Sequence, residues 1–389
     1  MAKVLLVDTN FSAGPLQGEL LQLGHEVHLC GGNPHDALAK AQPNYHPVNY
    51  ADAHALAALA DQLGIDHVVP GCNDRAYLSC AQARQHTGHT RYAGVDSLDV
   101  TLTINDKLKF RQCARQLDLT SPRVYLPTEA LPTTPMIVKP VDAFSGQGIT
   151  VLSTPKPSEV QHAIAHAKAC SATGQALVED WVEGQLYSHS AFLTGQRIVQ
   201  SHVVVEHCVA HPHAVDTSHL APHDLPAQAL ARLETELQRL AQHLALGDGL
   251  LHTQFIWDGS RCWLIELTRR CPGDLYSQLI ELSVGRGYVR QYLAPFVGNA
   301  VQAQPTQAEP AHVLRHTLTL PEGGVLHHLR FNEPLQIERW VPVASTGEAL
   351  TPAPKGRIAL LFARATSVEN LKHLAERAIS RTLFTVNAP

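Results

Sequence analysis

The chain is short of positive charge. Its 30 Lys and Arg are outnumbered by 35 Asp and Glu, a net charge of −5, so bulk electrostatics give no support to a nucleic-acid role. Long apolar runs are missing too, and a membrane span needs about 20 such residues. The start, MAKVLLVDTNFSAG, has only the apolar run Val4 to Val7, which reads as a buried strand and not as a secretory segment. The eight cysteines are scattered, none in CxxC spacing, and reduced thiols in the cytoplasm are expected. The first strand runs into Asp8-Thr9-Asn10-Phe11-Ser12-Ala13-Gly14 and lacks GxGxxG, which excludes the usual dinucleotide turn. Histidine is abundant at 24, seven of them between His189 and His223. His211 and His213 lack a CxxC or HExxH frame, so surface polarity in a Lys-poor chain is preferred to a zinc cluster.

At 389 residues the chain exceeds one small core, and two or three domains are expected. Residues 1–105 alternate strand and helix. KVLLVD, Glu26 to Cys30 and HVVPG read as strands; Pro15 to Leu23 and Ala53 to Leu63 read as helices stopped by Gly24 and Gly64. That order predicts a parallel α/β unit. Ligands of open α/β sheets sit beyond the carboxyl ends of strands, which makes Ser12, Asn73 and Asp74 candidate substrate contacts. Turn and N-cap duty is the preferred explanation of these residues.

Asp106 to Leu117 predicts a helix with Leu108, Phe110, Cys113, Ala114 and Leu117 on an apolar face. A proline-rich connection leads to the strand MIVKP, a Ser/Gly loop in DAFSGQGITVL, a helix from Glu159 to Ala169 and the strand ALVEDWVEG. Tyr187 to Leu193 and Arg197 to Val205 form an antiparallel pair around Thr194-Gly195. Pro226 to Leu244 is a long amphipathic helix with Leu230, Leu233, Leu237, Leu240 and Leu244 on one stripe. Past Asn299 a Gln/Pro/Ala-rich stretch reads as a linker. The rest mixes the strands HVLRHTLTL and RIALLFARA with a final helix, Val368 to Arg381.

Most of the chemistry lies in LHTQFIWDGSRCWLIELTRRCPGD, Leu251 to Asp274. Two apolar runs flank Asp258-Gly259-Ser260, which predicts a β-hairpin. Gln254 and Glu266 then point from one face, and Arg269 and Arg270 follow at once. Oxygen ligands beside an arginine at a sheet edge suit a magnesium-bound polyphosphate. Upstream, Lys139 ends an apolar strand just before Ser145-Gly146-Gln147-Gly148. A lysine charge plus free backbone N–H groups cradles phosphate. Lys107, after Asn105-Asp106, is the third feature. Each alone is ordinary: glycine pairs close hairpins, and a Glu/Arg pair is commonly a surface ion pair.

In this order the pieces resemble the ATP-grasp superfamily, over roughly residues 1 to 300. The pattern is most similar to the carboxylate–amine ligases of the L-amino-acid ligase type, with biotin carboxylase and glycinamide-ribonucleotide-type enzymes more distant. The resemblance implies a mixed α/β and α+β chain: an N-terminal parallel α/β domain (1–105), a two-subdomain ATP-grasp fold (106–298, with a lid at 106–175 and a hinge and metal-site part at 176–298), and a small C-terminal α+β domain (299–389). It implies that Lys107 and Lys139 bind ATP phosphates under a mobile lid carrying Ser145, Gly146 and Gly148. Glu179, Asp180, Trp181, Val182 and Glu183 are the implied adenine hinge, acting chiefly through backbone groups. Glu266, Gln254 and Thr268 are the implied magnesium ligands. Arg270, implied to stabilise the phosphate in flight or to hold a substrate carboxylate, is with Lys139 the implied catalytic charge, and Arg269 and Asp274 border the acceptor, Asp274 for an amino group. The implied reaction transfers the γ-phosphoryl group of ATP to a small-molecule carboxylate, and an amine then displaces phosphate from the acyl phosphate. Cations neutralise the transferring oxygens and a closed lid excludes water. A homodimer is the default assembly.

Three positions depart from the family pattern. Gln254 stands where a carboxylate is usual and brings no charge to the metal. Thr268 stands where Asn is usual. Leu186 stands where a glutamate often holds the ribose, a loss of about 1.5–3 kcal/mol unless Glu183 substitutes. One magnesium held firmly, with a doubtful second, follows from these changes. They also motivate an alternative: a nucleotide-binding regulatory protein without turnover. A His-rich metal-binding protein is the third reading.

Overall fold

The computed structural model of the chain describes residues 1–40, 43–126, 129, 133–143, 146–208, 213–221, 224–285, 287–303 and 309–386. Short apolar strands open it: β1 (Lys3–Val7), β2 (Glu26–Cys30), β3 (Tyr45–His46) and β4 (His67–Pro70). They form one parallel sheet in the order β3-β2-β1-β4. Val4 to Val7 are fully buried, as continuous apolar runs are in parallel strands covered on both faces. Helices α1 (Gly14–Gln22), α2 (Ala53–Leu63) and α3 (Asp74–Thr87) connect and flank the strands. The Asp52 side chain caps α2 at its start, and Gly64 ends it at φ 62°, in the left-handed region that glycine reaches without strain. Two further helices, α4 (Leu98–Asn105) and α5 (Lys107–Gln116), lead out, with Asp106 ending one and capping the next.

A small antiparallel sheet follows, built from β5 (Met136–Pro140), β6 (Thr150–Leu152) and β7 (Ala176–Asp180) in the order β6-β5-β7. Helix α6 (Pro157–Cys170) packs on it through Val160, Ala163 and Ala167 against Met136, Val138 and Val178.

The largest element is an eight-stranded sheet. It takes in β8 (Gln185–Thr194), β9 (Arg197–His207), β10 (Thr217–Leu220), β11 (Gly249–Trp257), β12 (Cys262–Thr268) and β13 (Val313–Thr319). After the short strands β14 (Gly324–Val325) and β15 (Leu329–Phe331) come β16 (Gln336–Pro342), the short β17 (Ala349–Leu350) and β18 (Arg357–Arg364). The order is β12-β11-β8-β9-β10-β13-β18-β16. The sheet therefore crosses residue 298, because β10 pairs with β13. Amphipathic α7 (Ala227–His243) buries Leu233, Leu237 and Leu240 against one region of it. Helices α8 (Tyr276–Val284) and α9 (Tyr288–Leu293) share a second core with β1 to β4, Val313 and Phe362. The last helix, α10 (Val368–Ile379), packs in a third core with β13 and β18, and β19 (Phe384–Val386) pairs with β15. Among the described residues no helix is long and apolar enough to cross a membrane.

Candidate functional site

One face of the small sheet gathers buried charge. The Glu179 carboxylate, near the end of β7, accepts from Arg111 Nε at Oε2 (2.9 Å) and from Nη2 at Oε1 (3.3 Å), and the same Oε1 meets Lys139 Nζ. All three side chains are at most 4% exposed. Burial alone would raise the Glu179 carboxyl, but the two cations hold it below its ordinary range. Burial, and then Arg111, push Lys139 down, and Glu179 opposes them. Two cations thus share one anion, and Arg111 Nη1 is a buried donor with no hydrogen-bond partner among the described residues. Arg111 was not singled out from the sequence. The signal was its place four residues after Lys107 on α5, which puts both on one helix face.

Lys107 sits at the first position of α5. Its N–H donates to Val141 O at 3.0 Å, which ties it to the end of β5, and its Nζ donates to Ala143 O at 2.8 Å. The same Nζ lies 3.3 Å from Glu266 Oε2 on β12. Gln254 on β11 is the direct register partner of Glu266, as the hairpin reading required. Gln254 Nε2 donates to Glu206 Oε2 on β9 at 2.6 Å, which leaves its amide oxygen available to a cation. Glu206 is 4% exposed. Burial, with Asp274 nearby, raises its carboxyl to about 7. Sequence reading missed Glu206, although a lone carboxylate in the run VVVEH was the visible sign.

Arg270 follows β12 and is gripped by the N-terminal unit. Its Nε and Nη2 donate to the two oxygens of Asp74 at 3.0 and 2.9 Å. Thr268 Oγ1 donates to Asp74 Oδ1 at 2.9 Å and accepts the Arg270 N–H at 3.3 Å. Burial would raise the Asp74 carboxyl, but Arg270 holds it below its ordinary value. The Thr268 hydroxyl, an expected metal ligand, is thus engaged between these two groups.

The remaining substrate candidates also have partners within the chain. Arg269 is buried, with Nε on Asp96 at 2.7 Å and its other nitrogens on Leu250 O, Gly247 O and Asp248 O. Asp274 Oδ2 pairs with Arg315 at 2.8 Å, whereas its Oδ1 is buried with no hydrogen-bond partner among the described residues. Asn73 caps α3 through Ala76 N–H at 2.8 Å and donates to Tyr50 Oη, and Ser12 Oγ donates to Asn10 Oδ1. Asp74 alone of that group lies beside Arg270.

In the hinge stretch, Asp180 N–H donates to Arg123 O at 3.0 Å and Trp181 N–H to Pro135 O at 3.1 Å. The Asp180 carboxylate accepts from Tyr125 Oη at 2.5 Å. The N–H groups of Asp180 and Trp181 are thus taken within the chain. Gly146 and Gly148 both lie in the left-handed region, at φ 73° and 70°, and a Cβ at Gly148 would come within 2.7 Å of Pro140 and Cys170. Ser145, expected in this loop, lies outside the described residues, as does His211 of the His-rich stretch. Among the described residues no three His, Cys, Asp or Glu side chains cluster as a metal site.

Residues 132–278 match the ATP-grasp domain family. The chain carries an ATP-grasp domain. Lys139, Glu179, Glu206, Gln254, Glu266 and Arg270 lie inside the ATP-grasp match, whereas Asp74, Lys107 and Arg111 precede it. A D-alanine–D-alanine ligase of Fusobacterium nucleatum is 23% identical over 205 residues, covering 51% of this chain and 67% of the relative. Two solved structures share the fold of the whole chain. An L-amino acid ligase from Bacillus licheniformis superposes with a TM-score of 0.79 at 13% identity, over 100% of this chain and 99% of that one. A phosphoribosylglycinamide synthetase from Anaerococcus prevotii gives 0.77 at 14% identity, over 100% of both chains.

Proposed function

We propose that the protein is an ATP-dependent ligase that joins a small-molecule carboxylate to an amine, releasing ADP and phosphate. The observation that carries this reading is the surplus of buried positive charge. Arg111 and Lys139 share Glu179, and Arg111 Nη1 has no hydrogen-bond partner among the described residues. Desolvated donors without partners are costly, and an anion satisfies them. A triphosphate reaching from there past Lys107 arrives at Glu266 and Gln254. One carboxylate and one amide oxygen fit magnesium, which takes its other ligands from phosphate and water. When bound there, the metal supplies neutralisation of charge on the phosphoryl oxygens.

The chain's own residues do the rest. Lys107 and Lys139 hold the phosphates. The loop carrying Gly146 and Gly148 covers them and excludes water. Val182 and Glu183 contact the base. Arg270 faces the transferring phosphoryl group, where charge develops. A carboxylate oxygen attacks the γ-phosphorus and ADP leaves. The amine nitrogen then attacks the acyl carbon, phosphate leaves, and the nitrogen gives up a proton. The names of the relatives favour amino acids as substrates. A cytoplasmic setting goes with this reading, since all eight cysteines are free.

An ADP-release screen over amino acids paired with amines, run beside thermal unfolding with Mg·ATP, tests it. The expected result is ADP release that needs both an acid and an amine, lost in Glu266→Gln, and a raised melting temperature with Mg·ATP. A shift without ADP from any pair would favour the non-catalytic nucleotide-binding protein. No shift at all would remove both readings.

A further inference from the structure

Arg270 has one edge of its guanidinium fully engaged before any substrate arrives. Asp74 takes Nε and Nη2 at 3.0 and 2.9 Å, whereas Nη1 has only a 3.5 Å contact with Cys271 O. The carboxylate that does this comes from far away in sequence, at the start of α3, 196 positions from Arg270. Its place is rigidly set. Asn73 caps the same helix and ties it to Tyr50. Thr268 adds a third hydrogen bond to Asp74 and takes the Arg270 N–H, so that the two residues of β12 and its exit are locked to one anion. A planar guanidinium held by one edge has its plane and its free edge fixed.

We infer that Asp74, supported by Thr268, is a positioning residue: it clamps one edge of Arg270 so that the Nη1 edge is presented to the transferring phosphoryl group. The inference rests on the ligase reading above for the role of Arg270. Its chemistry is preorganisation, in which a donor aimed in advance at developing charge needs no reorientation during the step. It also makes the docking of the N-terminal sheet a condition for a competent site. Asp74 is 35% exposed, so its replacement leaves the cores intact.

Two readouts in the full chain keep this inference apart from the ligase reading. The first is calorimetric titration with Mg·ATP and with Mg·ADP, which requires no turnover. Asp74→Ala is expected to lower the preference for ATP over ADP roughly tenfold, the scale of a charge-assisted hydrogen bond, with ADP affinity unchanged. The second is ADP release. There Asp74→Ala and Asp74→Asn are expected to lower kcat roughly ten- to hundredfold, with KM for ATP rising by no more than the roughly tenfold loss seen in binding and KM for the acid and the amine staying within about twofold. Thr268→Val moves both readouts the same way by a smaller factor, and Thr268→Ser restores them. In an Arg270→Ala background, adding Asp74→Ala changes nothing further, because the two act as one unit. An ATP preference untouched by Asp74→Ala overturns the inference even if the protein proves to be no ligase. So does a kcat that is unchanged or higher, which would make the pair a latch that holds Arg270 away.

Discussion

Glu179 holds two buried cations on one face of the small sheet, so the cluster depends on its charge. Replacing it by Gln leaves Arg111 and Lys139 buried without their anion, and breaking such a pair costs about 3–5 kcal/mol. Urea unfolding of Glu179→Gln should show a loss of that size; a loss under 1 kcal/mol, about what an exposed pair is worth, would mean that solvent reaches the cluster. Glu206 gives a pH-dependent case. Its carboxyl is raised by burial from 4.5 to about 7, so the folded protein holds that proton where the unfolded chain has lost it. The stabilisation is complete below 4.5 and is lost as pH rises to about 7. Glu206→Gln cannot ionise there, so its melting temperature relative to the parent protein should climb between those values. A difference that stays flat with pH would show that Glu206 is not buried as a free acid. Sequence alone made Lys107, Lys139, Glu266 and Arg270 visible, because charged residues at strand ends and after a hairpin stand out. Arg111 and Glu206 were hidden. One looked like the polar face of a helix, and the other like the end of an apolar strand.

Among the elements, the hairpin β11–β12 and the helices α2, α5 and α7 were readable in advance. Each has a clean period, a capping Asp or Gly, or a tight polar turn. Helix α8 was not. Tyr276, Ser277, Gln278, Leu279, Ile280 and Ser283 are all buried, so it has no polar face to set a rhythm. Helix α3 mixes small and polar residues, with Ser79 and three alanines buried, and its stripe is equally hard to see. The loop after β5 depends on backbone geometry more than on side chains. Gly148 is left-handed and pressed against Pro140 and Cys170. Gly148→Ala adds a left-handed penalty of about 1–2 kcal/mol to that crowding. Chemical denaturation should register the loss, together with weaker ATP binding. Parent-like values for both would show that the loop tolerates another path.

At the scale of the whole molecule, the domain plan drawn from sequence puts a boundary at residue 299, and β10 pairs with β13 across it. Nothing in the composition of β10 or β13 reveals that they are neighbours, because register between distant strands is a property of the closed sheet. Ending the chain at residue 298 would strip β10 of its partner β13, take Arg315 from Asp274, and remove Val313, Leu360 and Phe362 from the central core. Such a chain should aggregate or lose cooperative melting, as unpaired apolar edges do; a soluble, sharply melting 1–298 fragment would show that the last ninety or so residues are dispensable, a small-domain size. The shared sheet also imposes an order in time. Synthesis delivers the strands of the parallel sheet and of the small sheet early, but the core under the parallel sheet also takes in Val313, Leu360 and Phe362. Strand β10 must wait for β13, and β13 lies between β10 and β18. A nascent chain on the ribosome therefore carries Lys107 and Lys139 well before Asp274 acquires Arg315, and the large sheet closes only after β18 has emerged.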